Sequence, residues 1–137
     1  MLCAVLGSRS DERLTARILV VDDEPGMRRS LAIMLRREHY DVTETGSVTE
    51  AVGRLKGESY DLVIADLRME PLNGLDLLAL ARQYHPRCPV IIMTAFATPE
   101  ARSEALQFGA TAFLEKPLQA PDLLLRIQEV LTPKTGG

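Results

Sequence analysis

The sequence contains an apolar run, Leu62-Val63-Ile64-Ala65, that ends in a carboxylate at Asp66. A short apolar run with β-branched residues predicts a strand that is buried on both faces of a parallel sheet. Three further runs lead into polar or charged residues in the same way, the last of them shorter and more mixed. They are Val20-Val21-Asp22-Asp23-Glu24, Val90-Ile91-Ile92-Met93-Thr94 and Phe113-Leu114-Glu115-Lys116-Pro117.

The polar residues that follow these runs are predicted to meet at one edge of the sheet. In an open α/β sheet the carboxyl ends of the parallel strands point to the same edge, and ligands bind there. Three carboxylates, one hydroxyl and one ammonium would then converge on one cleft: Asp22, Asp23, Asp66, Thr94 and Lys116. This set of groups suits a metal ion and a phosphoryl group.

Strand patterns alternate with helical patterns along the chain, which predicts βαβ units, an α/β fold and a parallel sheet. The second strand is short and polar, so we expect it at an edge. Gly57 is predicted to stop the second helix. The predicted strands are Arg17 to Val21, Tyr40 to Glu44, Tyr60 to Asp66, Pro89 to Thr94 and Ala112 to Glu115.

Length and composition favour one soluble globular domain. The chain has 137 residues, of which 46% are hydrophobic and 26% charged. A net charge of -3 argues against nucleic-acid binding by this segment alone, although it does not exclude an attached DNA-binding domain. Two cysteines are too few for a disulfide framework or a zinc site, which favours a reduced, cytoplasmic setting with Cys88 as a packed thiol.

The ends of the chain read differently from its centre. Residues 1–15 are predicted to be a flexible polar extension, residues 16–132 the folded domain, and residues 133–137 a linker or terminal tail. No apolar run approaches the roughly 20 residues of a membrane span, so no membrane association is expected.

The three carboxylates allow more than one interpretation. Asp22 and Asp23 beside Asp66 would repel one another unless a cation joins them, and Mg²⁺ prefers oxygen ligands. The acidic pair could instead cap the helix that follows it. Asp66 could likewise begin a turn, or it could be a nucleophile that takes a phosphoryl group as an acyl phosphate.

Thr94 and Lys116 would hold the phosphoryl group, although each residue alone is weak evidence. Threonine at a strand end is usually structural, and most lysines are solvated. The pair Lys116-Pro117 is more informative, because proline ends the strand and an X-Pro bond can be cis. Such a bend would aim the lysine across the site.

The same motifs, in this order and at these separations, resemble the receiver domain of bacterial response regulators over about residues 16–132. They are Asp22-Asp23, Asp66, Thr94-Ala95 and Lys116-Pro117. The stretches 91–98 and 108–117 are most similar to receivers of nitrogen-regulation-type transcription activators. This resemblance implies a doubly wound, flavodoxin-like fold with five parallel strands in the order 2-1-3-4-5 and five helices.

The resemblance also implies a role for each site residue. Asp66 would accept phosphate from a sensor histidine kinase or a phosphotransfer protein. Asp23, Asp66 and the backbone carbonyl of Arg68 would ligate Mg²⁺ directly, and Asp22 would act through a metal-bound water. Thr94 and Lys116 would hold the phosphoryl group.

Phosphorylation would then switch the conformation of the domain. Thr94 would move toward the phosphate and Phe113 would rotate inward, although a plain core role for Phe113 is also open. The surface of the fourth helix, fifth strand and fifth helix would control dimerisation or a C-terminal output domain. The chain would be a signalling switch that catalyses only its own phosphorylation and dephosphorylation.

One segment departs from the family pattern. Glu70 and Pro71 stand where the family usually has proline and glycine, and Glu70 could weaken phosphate retention or face solvent. Arg68 and Phe96 stand at positions expected to tune hydrolysis of the acyl phosphate. His39 and His85 are read as surface or helix-end residues rather than phosphorelay histidines.

Two rival functions remain at this stage. An Mg²⁺-dependent phosphatase or phosphotransferase with an aspartyl nucleophile would usually carry a second acid two residues after it, where this chain has Arg68. A degenerate receiver that acts only as a protein-interaction module would not need the complete acidic set.

Overall fold

The computed structural model describes residues 15–132. The predicted extension, apart from Thr15, and the predicted tail lie outside the described residues. Strands and helices alternate throughout this range. The strands are β1 (Arg17–Val21), β2 (Asp41–Thr45), β3 (Leu62–Asp66), β4 (Val90–Thr94) and β5 (Ala112–Glu115), and the helices are α1 (Pro25–Arg37), α2 (Val48–Gly57), α3 (Gly74–Tyr84), α4 (Pro99–Gln107) and α5 (Ala120–Leu131).

The five strands form one parallel sheet in the order β2-β1-β3-β4-β5. This order confirms the predicted doubly wound α/β fold and the edge position of β2. The register aligns Val21 with Ala65 and Asp66 with Met93. The residues that end β1, β3 and β4 therefore reach the same edge of the sheet.

Each face of the sheet has its own core, which explains why the central strands are apolar at nearly every position. Leu19, Val63 and Ile92 face α2, α3 and α4 in one buried cluster. Ile18, Leu62, Ile64 and Ile91 are in the second buried cluster, together with Leu35 of α1 and Ile127 of α5. Cys88 is buried in the first cluster, as the sequence predicts.

Three predicted strands had boundaries that were wrong by one or two residues. Strand β2 runs from Asp41 to Thr45, one residue later than predicted, and β3 begins at Leu62 rather than Tyr60. The Tyr60 carbonyl accepts a bond from the Cys88 thiol instead of joining the sheet. Strand β4 begins at Val90 because the preceding proline has no N–H to donate.

Helix α2 ends at Gly57, the residue predicted to stop it, and includes this glycine as its last residue. Helix α3 begins at Gly74 behind a capping box in which Asn73 and Asp76 satisfy each other's backbone N–H groups. This cap fixes the loop that leads away from the end of β3. No helix among residues 15–132 is both long enough and apolar enough to cross a membrane.

Candidate functional site

Three carboxylates gather where β1 and β3 end. Carboxylate oxygens of Asp22, Asp23 and Asp66 all lie within 4.8 Å of one another. Asp22 is buried, Asp66 is half-buried and Asp23 is exposed. The structure thus brings together the three acids that the sequence predicts as a group.

Lys116 reaches into this acidic cluster from the end of β5. Its Nζ atom lies 3.2 Å from Oδ2 of Asp22 and 3.6 Å from Oδ2 of Asp66, and its side chain is only 11% exposed. The lysine therefore crosses the strand ends and pairs with Asp22, which follows β1, and with Asp66, which ends β3. The backbone N–H of Lys116 donates to the carbonyl of Thr94 at 2.8 Å. The Lys116–Pro117 bond is cis, as the sequence allowed.

The environment of Asp66 opposes its ionisation. Burial raises the pKa of this carboxyl above its ordinary value, and the nearby charges of Asp22 and Asp23 act in the same direction. The Lys116 ammonium and the backbone N–H of Arg68 lower the pKa, but they do not offset the burial. A divalent cation would relieve this repulsion.

The donor set fits Mg²⁺. All three acidic side chains offer oxygen atoms, which this hard cation prefers, and a single lysine leaves the cluster with excess negative charge. Among the described residues, the Asp23 carboxylate makes no hydrogen bond and no ion pair. It is therefore free to act as a ligand.

Arg68 lies beside Asp66, where the sequence predicts a backbone ligand. Its N–H points to Oδ1 of Asp66 at 3.4 Å. Its guanidinium Cζ lies 5.1 Å from the centroid of the Phe96 ring. Both side chains line a cleft of about 390 Å³ that opens above Asp66 and Lys116. Asp66 and Lys116 line the same cleft, so a small molecule in the cleft can contact both side chains.

Thr94 and Phe113, the predicted switch pair, lie on neighbouring strands of the sheet. Thr94 is fully buried at the end of β4, and its Oγ1 accepts a bond from the N–H of Phe96 at 3.1 Å. Phe113 pairs with Ile92 across β4 and β5 and is buried in the core. The ring thus already occupies an inward position in this structure.

Glu70, His39 and His85 lie outside the cluster of carboxylates. Glu70 is exposed, which is the solvent-facing alternative for this residue. His39 follows α1 with a positive φ of 70°. The ring Nε2 of His85, which caps α3, is 2.6 Å from the carbonyl oxygen of Leu55. Both histidines therefore have helix-end roles.

Sequence reasoning missed one residue that touches the site. Nη1 of Arg28, on α1, donates to the backbone carbonyl of Asp22 at 2.6 Å. Arg28 also pairs with Glu44, at 3.7 Å from Nε to Oε1. Nothing in the periodicity of α1 distinguishes Arg28 from its neighbour Arg29, since both read as ordinary solvent-facing arginines.

Together, the fold and the cluster define a class: a parallel α/β domain with an acidic, lysine-containing cluster at the carboxyl ends of its strands. Residues 18–128 match the family model described as the response regulator receiver domain. This match covers most of the chain, which belongs to this family. The resemblance predicted from the motifs is thereby confirmed.

The relatives of this chain include proteins named as transcriptional regulatory proteins and as response regulator proteins. The chain is 38% identical over 116 residues to the transcriptional regulatory protein GlrR of Escherichia coli, a match that covers 85% of this chain and 26% of that protein. It is 39% identical over 102 residues to the response regulator protein PilR of Pseudomonas aeruginosa, which covers 74% and 23%. The chain thus spans about a quarter of the length of these relatives. These relatives confirm the predicted similarity to nitrogen-regulation-type activators.

Solved structures agree with this assignment. A CheY-like receiver domain protein from Methanospirillum hungatei has a TM-score of 0.82 and 31% identity, over 85% of this chain and 94% of that one. NtrX from Brucella abortus has a TM-score of 0.80 and 31% identity, over 85% of this chain and 27% of that one. The fold therefore matches both a single receiver and the receiver part of a longer chain.

Proposed function

We propose that Asp66 is the phosphoacceptor of this receiver domain. The observation that carries the proposal is the position of its carboxylate. It ends a central strand, lies 3.6 Å from the Lys116 ammonium, and shares a cluster with Asp22 and Asp23. Because an acyl phosphate carries more negative charge than the carboxylate that it replaces, its formation beside Asp22 and Asp23 requires positive charge, which Lys116 and a bound cation would supply.

In the proposed reaction, a carboxylate oxygen of Asp66 attacks the phosphorus atom of a phosphohistidine on a sensor kinase or phosphotransfer protein. The new bond joins this oxygen to phosphorus, and the bond from phosphorus to the donor imidazole nitrogen breaks. The released imidazole nitrogen takes up a proton from solvent. Hydrolysis of the acyl phosphate returns Asp66 to its carboxylate form.

Mg²⁺ is the proposed cofactor. Asp23, Asp66 and the backbone carbonyl of Arg68 would be its direct protein ligands, and Asp22 would act through a bound water. Support comes from the three carboxylates that lie within 4.8 Å of one another. When bound, the cation would neutralise charge on the phosphoryl oxygens during transfer.

Lys116 and Thr94 would hold the phosphoryl group. The Lys116 ammonium lies between two carboxylates, so a short movement of Nζ from Asp66 would bring it to a phosphoryl oxygen. The Thr94 hydroxyl accepts a bond from Phe96, which leaves its own hydrogen to donate. Lys116 would therefore supply positive charge to the phosphoryl oxygens, and Thr94 would donate a hydrogen bond to them.

Phosphorylation would bias a two-state equilibrium that involves Thr94, Phe113 and α4. Only Ala105 is buried in α4, so this helix is weakly anchored and suited to move. Phe113 is inward in the present structure, and the proposed switch requires that the unphosphorylated protein also populates an outward ring. The proposed readout is the surface of α4, β5 and α5.

That surface would control homodimerisation or a C-terminal output domain. Support comes from the relatives, which are transcriptional regulatory proteins about four times as long as this match. We also propose that a sensor histidine kinase donates the phosphoryl group and that the protein is located in the cytoplasm. The domain would act as a switch and turn over no external phosphate ester. The position two residues after Asp66, where a phosphatase of this kind usually carries an acid, holds Arg68 with its side chain against Phe96.

The mass of the intact protein after incubation with acetyl phosphate tests this proposal. Wild type is expected to gain one phosphoryl group in the presence of Mg²⁺ and none with a chelator. Asp66→Asn should gain none in either case. An adduct that persists in Asp66→Asn would contradict the proposal. Steady release of phosphate from a small phosphate ester would favour the phosphatase instead.

A further inference from the structure

Arg28 holds the backbone of the segment that carries Asp22 and Asp23. Its Nη1 donates to the Asp22 carbonyl oxygen at 2.6 Å, and Nε lies 3.7 Å from Glu44. We propose that Arg28 is a positioning residue that fixes the peptide between Asp22 and Asp23 and thereby orients the Asp23 carboxylate toward a divalent cation. This inference rests on the metal site in the proposed function.

Hydrogen bonds also restrain the backbone on either side of the peptide that joins the two acids. The Asp22 N–H donates to the Thr45 carbonyl at 3.2 Å, and Oδ1 of Asp22 accepts from the N–H of Glu24 at 2.9 Å. Because a peptide is planar, the bond from Arg28 to the Asp22 carbonyl also sets the direction in which the chain enters Asp23. Arg28 thus completes the restraint on the following residue.

Asp23 depends on this restraint more than its neighbour does. The Asp22 carboxylate is held by Lys116 and by the N–H of Glu24. The Asp23 carboxylate has no such partner among residues 15–132, so the position of its backbone sets which points this carboxylate can reach. Loss of a group that orients a metal ligand typically weakens metal binding by about 10–100-fold.

Glu44 keeps the Arg28 guanidinium away from the carboxylates. A free guanidinium next to three acids would pair with one of them and compete with a cation. Glu44 lies on the neighbouring strand β2, and its side chain is only 15% exposed. It therefore holds Arg28 on the backbone side of Asp22.

The structure offers a matched control for Arg28. Arg29 pairs with the same glutamate, at 3.3 Å from Oε2 of Glu44, but it makes no bond to Asp22. A change at Arg29 therefore removes an ion pair with Glu44. It leaves intact the bond from Arg28 to the Asp22 carbonyl, which we call the peptide clamp. The two variants separate the clamp from the general effect of charge in α1.

Gly46 provides a second, independent way to disturb the clamp. A Cβ atom at this glycine would lie 3.1 Å from Nη1 of Arg28, which is closer than ordinary contact. Gly46→Ala would push the guanidinium by a few tenths of an ångström without removing any charge. This variant keeps the test valid if Arg28→Ala is poorly folded.

The test is calorimetric titration with Mg²⁺ alone, together with thermal unfolding of each metal-free protein. We expect Arg28→Ala to bind Mg²⁺ about 10-fold more weakly than wild type. Arg28→Lys should recover part of this loss, since an ammonium reaches the carbonyl but has no second arm for Glu44. Gly46→Ala should be intermediate. Arg29→Ala should stay within about twofold of wild type, because exposed ion pairs contribute little.

A second readout separates positioning from a merely structural role. The amide resonance of Asp23 in the metal-free protein should shift in Arg28→Ala and Gly46→Ala, and it should not shift in Arg29→Ala. Equal Mg²⁺ affinity in Arg28→Ala and wild type would overturn the inference and leave the proposed function intact. Equal weakening by Arg29→Ala would also overturn it. A wild type that binds no Mg²⁺ would overturn the metal site and this inference together.

Discussion

Gly74 lies so close to the backbone of Asp66 that a Cβ atom at this glycine would be 2.6 Å from the Asp66 carbonyl oxygen. The same atom would lie 3.0 Å from Cα of Leu67. Since both neighbours are backbone atoms, neither can rotate away as a flexible side chain would. The first residue of α3 therefore helps to fix where β3 ends and where its carboxylate stands.

Gly74→Ala should consequently destabilise the domain by roughly 1–3 kcal/mol, since overpacking forces a backbone shift. It should also slow phosphorylation of Asp66, because the shift falls on that residue. The measurement is urea unfolding of the metal-free protein, followed by the rate of adduct formation with acetyl phosphate.

Gly53→Ala is the matched control for this variant. Gly53 lies inside α2, and a Cβ atom there would meet nothing within 4 Å. This change should stabilise the domain by about 0.5–1 kcal/mol, because alanine favours helix more than glycine does. If Gly74→Ala were as stable as wild type, the proposed close contact with Asp66 would be wrong.

Asp66→Asn should raise the thermal stability of the metal-free protein at neutral pH. The pKa of Asp66 is raised in the folded state, so the folded protein binds this proton more tightly than the unfolded chain does. Such a group contributes stability below its ordinary pKa of 3.8, and that stability is lost as pH rises through the folded pKa. Asparagine stays neutral and avoids this loss.

The gain in the free energy of unfolding caused by Asp66→Asn should therefore be small at about pH 3 and should grow as the pH rises to about 7. Thermal unfolding of both proteins across this range, in a chelator, measures it. A mutant that is less stable than wild type at pH 7 would show that the Lys116 ion pair outweighs the cost of burial.

The thiol of Cys88 should be nearly inert in the folded protein. Burial raises its pKa from 9.0 to about 11, and its Sγ donates to the Tyr60 carbonyl at 3.3 Å. This rise in pKa reduces the thiolate fraction at pH 8 by about 100-fold. Iodoacetamide should label Cys88 at least that much more slowly than it does in the urea-unfolded chain, as followed by peptide mass. Equal rates would show that this end of β4 is open to solvent.

Arg68 and Phe96 should slow hydrolysis of the acyl phosphate. Their stacked side chains line the cleft above Asp66 and would restrict the approach of water. Phe96→Ala should shorten the lifetime of the phosphorylated form several-fold, while the backbone bond from Phe96 to Thr94 is kept. Tyr84→Ala removes an exposed aromatic ring remote from the cleft and serves as the control. An unchanged lifetime in Phe96→Ala would exclude this shielding role.

The sequence predicted the architecture because two signals reinforced each other. Apolar runs such as Leu62 to Ala65 allow few structures other than a buried parallel strand, and the residues after these runs share a chemistry. Register then brought Asp22, Asp66 and Lys116 together without further information. Strand starts were harder to predict. Tyr60 fits a strand by residue type, but its carbonyl accepts a bond from the Cys88 thiol instead of a strand N–H.

The periodicity of the sequence could not predict contacts between a side chain and a backbone group on another element. Arg28 and Arg29 are adjacent and chemically identical, yet only Arg28 reaches the Asp22 carbonyl. The inward position of Phe113 was also not decided by sequence, because an aromatic residue on β5 fits either ring position. Both depend on packing between elements that are far apart in the chain.

Chemical identification of the phosphorylated residue tests the central claim most directly. Wild type would be phosphorylated with acetyl phosphate and Mg²⁺, reduced with borohydride, which converts an acyl phosphate to an alcohol, and digested for peptide mass analysis. We predict that Asp66 alone is reduced and that omission of Mg²⁺ abolishes the product. Reduction at Asp22 or Asp23 with Asp66 unchanged, or stable phosphate on His39 or His85, would contradict it.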